Sequence, residues 1–215
     1  MVDKEATKYI GLTIGWDYKN QKAHIHMADY LQKAFTRFKH EAPVKIQNSP
    51  HPHVIPQYEA KTQYAKVDDD SPFLPTEEMK YVQAVTGTLL YYSRAFGTTI
   101  LVTLSSIATE QAKPMQEMMK NVKQLLDYCA TQEEAIITNN ASKMILAVHS
   151  DAGYCNEKKA RSRAGGHFFL SSNETFPPNN GAILTNATII KAVMSSAAEA
   201  ELGAIYLNAR EAVHL

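Results

Sequence analysis

The chain has 215 residues, with 22 Lys plus Arg against 22 Asp plus Glu, so its formal net charge is zero. At 45% hydrophobic and 20% charged residues the composition excludes a disordered, collagen-like or low-complexity chain. Zero net charge argues against a strongly basic, general nucleic-acid binder but leaves room for a local basic patch.

No apolar run approaches the roughly 18 residues of a membrane helix. The start, MVDKEATKYIG, has no apolar stretch suited to a signal peptide. Cys129 and Cys155 show no metal-ligand spacing. Two bystander thiols in a reducing compartment are expected.

In chain order, Tyr9 to Ile14 and Lys22 to Met27 are short β-prone runs around the polar stretch Asp17–Asn20, which predicts a β-hairpin. Residues 28–39 place Tyr30, Leu31, Ala34, Phe35 and Phe38 at helical spacing. Residues 42–75 hold six of the nine prolines and the acidic run Asp68–Asp70, with no periodicity, and read as an irregular linker. A helix should start at Thr76, with Thr76 as N-cap and Tyr81, Val82, Val85, Leu89 and Tyr92 on its apolar face. A second helix is expected over about 98–111 and a third from Pro114. The third carries a Met-rich stripe that reads as core rather than as a promiscuous groove.

After residue 131 the period changes. Residues 135–137, 144–148 and 165–170 read as buried strands, and 182–190 as one more strand region. Ser195 to Ala212 looks helical, with Leu202, Ile205, Tyr206 and Ala209 on the face expected to turn inward. The domains expected are 1–41, a linker at 42–75, a helical region at 76–131 and an α/β region at 132–215. The fold class is α+β.

Three constellations carry potential chemistry. Asp151 follows an apolar strand in His149-Ser150-Asp151; a carboxylate fixed by a sheet is chemically useful, and costly to bury without a partner. Ser195-Ser196-Ala197-Ala198-Glu199-Ala200-Glu201 opens a helix. Glu199 and Glu201 point about 200° apart, so one faces inward, and Glu201 is the better candidate. Lys158, Lys159, Arg161 and Arg163 form a basic run that would hold phosphates beside a nucleic-acid site or else be a solvated surface. The i, i+2 histidines His24, His26 and His51, His53 lack accompanying ligands and read as polar surface. Asp68–Asp70 lies in a Pro-rich stretch and reads as a loop.

Taken together, these segments resemble a copia-type retrotransposon polyprotein over nearly the whole chain. Tyr9–Ile14 is similar to a strand just after the reverse transcriptase palm, and Tyr30-Leu31 with Phe35 and Phe38 to the helix that follows it. The run YVQAVTGTLLYY, Tyr81 to Tyr92, resembles the family's Tyr-x-x-x-Val-Gly-x-Leu-Leu-Tyr helix, and the helix from Pro114 its thumb-to-connection region. Ser150-Asp151-Ala152 resembles the start of its ribonuclease H domain. Arg161 to Gly166 takes the place of an Arg-Arg-Ser-x-Ser-Gly run. Ser195 to Leu202 resembles the Ser-Ser-Thr-Glu-Ala-Glu-Tyr helix start.

The resemblance implies a truncated ribonuclease H-like half-domain, three strands and then a helix, after the hairpin and a thumb/connection-like region. It implies cleavage of RNA in RNA–DNA hybrids by carboxylates holding Mg²⁺ or Mn²⁺. Carried over by motif, the catalytic and metal-holding residues are Asp151 and Glu201, and Lys158, Lys159, Arg161 and Arg163 are nucleic-acid contacts. The polymerase aspartates and the later ribonuclease H carboxylates are missing from these 215 residues, so the chain is expected to be inactive on its own. Its expected partners are an RNA–DNA hybrid, the rest of the polyprotein or a second copy, with no membrane. The expected location is cytoplasmic particles, or else the nucleus. The alternative is a domesticated, non-enzymatic binding module.

Overall fold

The computed structural model describes residues 7–52, 71–132 and 134–215. It shows a mixed α+β protein with two antiparallel sheets and five α-helices among those residues. The acidic run Asp68–Asp70 and His53 lie outside the described residues.

The strands are β1 (Lys8–Tyr9), β2 (Leu12–Asp17), β3 (Lys22–His26), β4 (Ile137–Asn140), β5 (Ile145–Glu157), β6 (Arg161–Ser171) and β7 (Ala182–Ile189). The helices are α1 (Tyr30–Phe38), α2 (Thr76–Ala95), α3 (Leu101–Glu110), α4 (Glu117–Thr131) and α5 (Ala197–Ala212). One sheet has the order β1-β2-β3-β4 and the other β5-β6-β7. The expected hairpin is β2–β3. The run read as one strand from Tyr9 is broken at Ile10 and Gly11, whose positive φ values of 47° and 80° fold β1 back on β2. Gly11 tolerates that conformation and the β-branched Ile10 does not do so readily.

The chain divides into two compact units. The described part of the first is residues 7–14, 25–52, 71–132 and 134–136. Its core comes from helical faces. Val82, Val85, Leu89 and Tyr92 of α2, Leu104 and Ile107 of α3, and Met118, Val122, Leu125, Leu126 and Cys129 of α4 are all buried. These positions recur at three- and four-residue steps, which is why the periodicity was legible. Met118 is buried among them, in line with the core reading of the Met-rich stripe. Two starts differ from expectation. Thr76 lies inside α2, whose N-cap is Pro75 with no side-chain cap bond. α4 begins at Glu117 rather than at Pro114, whose carbonyl instead accepts the Leu74 N–H at 2.9 Å.

The described part of the second unit is residues 15–24 and 137–215. Here β5, β6 and β7 form an antiparallel meander, and α5 packs on β5 and β6. Asn180 ties β4 to the β6–β7 loop. It donates to the Asn140 and Leu170 carbonyls at 2.9 and 2.7 Å and accepts the Asn140 N–H at 2.8 Å. No helix among the described residues is long and apolar enough to cross a membrane.

Candidate functional site

Strand β5 is longer than its apolar core suggests. It continues through His149-Ser150-Asp151 to Glu157, so Asp151 sits mid-strand rather than at a strand end. The ladder with β6 explains this: Ser150 pairs with Gly166, Asp151 with Gly165 and Ala152 with Ala164. Backbone pairing carries a strand through polar residues when the neighbouring strand is long enough.

Alternation then sets the faces. Ser150 points toward α5, since its hydroxyl accepts a bond from the Asn208 amide at 2.9 Å. Ala152 does the same, packed against Ala164, Ile190 and Ala204. Asp151 therefore turns to the other face of the sheet, where it is exposed. On that face lie His149 and His167, 6.2 Å apart between ring centroids, each against the buried Phe169 at 4.8 and 5.0 Å.

Glu201 and Glu199 divide as their spacing predicts. Glu199 is exposed and belongs to the helix start: its carboxylate accepts the Ser195 N–H at 2.6 Å and the Ser195 hydroxyl at 2.5 Å. These donors hold its carboxyl below the ordinary range. Ser196 is the N-cap, its hydroxyl accepting the Glu199 N–H at 3.1 Å. Glu201 is half-buried.

The inward face of α5 is not the expected one. Leu202, Ile205 and Tyr206 are 66%, 53% and 66% exposed, whereas Ala200, Ala204 and Asn208 are buried. Size decides this. The small alanines let α5 come close to Ala152, Ala164 and Gly166, which bulkier side chains would prevent. A Cβ on Gly166 would collide with the Asn208 amide and the Phe168 ring.

The basic run is split. Arg161 and Arg163 lie in β6, the central strand of its sheet, and Lys159 is exposed on the turn before it. Arg163 is 5% exposed. Its Nε donates to Glu157 at 2.8 Å and its Nη1 to the Ala187 carbonyl at 2.8 Å. A guanidinium held this way is committed inside the fold and does not stand on the surface where a phosphate contact requires it. The side chain of Lys158 lies outside the described ones.

The structure thus does not gather the carried-over residues into one centre. No hydrogen bond or ion pair joins Asp151 to Glu201 among the described residues, and no group of three or more His, Cys, Asp or Glu there is placed to hold a metal ion. One carboxylate on the face away from α5 and another on α5 do not fit a Mg²⁺ or Mn²⁺ pair.

Sequence reasoning missed Asn208 and Glu157. The Asn208 amide also donates to the Gly165 carbonyl at 2.8 Å and its oxygen lies 3.4 Å from Asn186 Nδ2. An asparagine at the i+4 and i+8 positions from two alanines was the available signal. Glu157 carried none, because a buried partner for Arg163 is defined only by the β5–β6 register.

Comparison with known proteins adds no family: no family model, no curated protein and no solved structure matches this chain.

Proposed function

We propose that this chain derives from the reverse transcriptase–ribonuclease H region of a copia-type retroelement, and that by itself it engages nucleic acid weakly and does not cut it. The observation that supports the reading is the order of its second unit. An antiparallel β5-β6-β7 meander is followed by α5 on one face, with Ser150-Asp151-Ala152 within the first strand and Ser195-Ser196 followed by Glu199 and Glu201 at the helix start. Asp151 and Glu201 are then remnants of a carboxylate set. The divergence of the two favours the non-cleaving form, because hydrolysis of a phosphodiester by metal-activated water needs the carboxylates to converge on the ions.

The test is incubation of the purified chain with a labelled RNA–DNA hybrid and Mg²⁺ or Mn²⁺, with affinity measured in parallel by fluorescence anisotropy. The expected result is no cleavage beyond the metal-only control, with weak, salt-sensitive binding. Cleavage lost in Asp151→Asn and Glu201→Gln would refute the non-cleaving reading. A folded chain that shows no affinity for the hybrid even at low salt would refute the nucleic-acid reading.

A further inference from the structure

The outer face of α5 is apolar and uncovered. Leu202, Ile205, Tyr206 and Ala209 are exposed, and Val213, the C-cap residue, is 82% exposed. They recur at steps of three, one, three and four residues, which makes a single stripe. The stripe lies directly opposite Ala200, Ala204 and Asn208, the residues that seat the helix on its sheet. A stripe of this kind on a helix already anchored by its other face has the pattern of a helix–helix contact rather than of a solvated surface.

The charges beside the stripe point to the occupant. Glu199 and Arg210 are eleven residues apart, three helical turns, so both stand on the same flank of the stripe within about 20° of each other. Two helices that pack antiparallel about a two-fold axis bring like flanks together in reversed order. Glu199 of each copy then meets Arg210 of the other, near the two ends of the contact, while Ile205 lies close to the axis and meets its own copy. Arg210 can reach out for this: it is 58% exposed and, among the described residues, forms an ion pair with its neighbour Glu211 at 3.5 Å. In a parallel pairing each flank meets the opposite flank of the partner, so Glu199 and Arg210 would not meet across the contact. The large exposed side chains of the stripe supply an area near the lower limit for a specific interface, about 1,000 Å² over both copies.

We infer that α5 is a self-association surface, on which a second copy of this chain docks antiparallel through Leu202, Ile205, Tyr206 and Val213, with registration by Glu199–Arg210 pairs. The inference does not depend on the chain's ancestry or on any activity.

The experiment is light scattering and sedimentation of the full chain over roughly a hundredfold range of concentration. The expected result is a reversible rise from one chain to two. Ile205→Lys should hold the chain monomeric with unchanged circular dichroism. Arg210→Glu should weaken association by about tenfold, and Arg210→Glu combined with Glu199→Arg should restore it. Because Glu199 also serves the helix start, helicity is measured on both variants. Ile205→Cys gives an independent reading: under oxidation it should form a covalent dimer, whereas Asn173→Cys in an exposed loop should not, and the native Cys129 and Cys155 are buried. A chain that stays monomeric throughout, or a dimer that Ile205→Lys leaves intact, would overturn the inference.

Discussion

Arg163 and Glu157 show what burial does to a charged side chain. Each is nearly inaccessible, and the two are tolerable because they lie 2.8 Å apart and the Ala187 carbonyl takes a second guanidinium N–H. Arg163→Met should cost about 3–5 kcal/mol in urea unfolding, because it leaves the Glu157 carboxylate without its partner. A change of that size in a residue with no part in binding would separate Arg163 from Lys159 and Arg161. Asn208 carries a comparable duty with neutral groups. Asn208→Leu should cost about 1–3 kcal/mol, since the Gly165 carbonyl and the Ser150 hydroxyl lose a donor under the helix.

His40 gives a pH signature. It is half-buried, 3.1 Å from Asp127, with Lys123 bonded to the other carboxylate oxygen at 2.6 Å. Burial pulls the imidazole below its ordinary value near 6.5, and the nearby Asp127 charge opposes this without reversing it. The sign follows directly. The folded chain resists protonation at His40 and the unfolded chain does not, so protons favour unfolding. Stability from this group is present above pH 6.5 and falls as the pH drops toward the depressed folded value. His40→Gln should flatten the pH dependence of urea unfolding below about pH 6.5.

At the scale of the element, α5 is the most informative piece. Its start is built by three residues acting together: Ser196 caps the Glu199 N–H, and Glu199 reaches back to Ser195. Ser196→Ala should lower stability by about 1 kcal/mol, read as a drop in the thermal midpoint. The element also shows where periodicity misleads. Ranking residues by hydropathy puts Leu202, Ile205 and Tyr206 inside, yet the sheet below offers alanine and glycine, and close approach is worth more there than bulk. The helices α2, α3 and α4 were legible because their large apolar residues are the ones that meet. β5 was only partly legible, since its polar half is held by the ladder and not by burial.

For the whole molecule, zero net charge and the burial of Arg163 limit what nucleic acid can find on it. Of the basic run, Lys159 is exposed and Arg161 half-buried, which leaves room for about two phosphate contacts, so log affinity for a hybrid should fall against log salt with a slope of about −2. Lys159→Ala with Arg161→Ala should bring that slope near zero. A much steeper slope would mean a basic surface elsewhere on the molecule.

The sequence by itself determined the α+β class and most of the element order, but not the break at Ile10 and Gly11 that separates β1 from β2. Helical spacing, strand alternation and turn residues are local properties, readable within a dozen neighbouring positions. It also determined that Glu199 and Glu201 part company, because helix geometry alone does that. Only the tertiary structure decided which side of α5 is covered, that Arg163 is sealed against Glu157, and that Asp151 looks away from the helix that carries Glu201. Those outcomes depend on strand register and on the fit of one surface to another. A single-residue shift in the β5–β6 pairing would turn Asp151 to the opposite face without changing one letter of the chain.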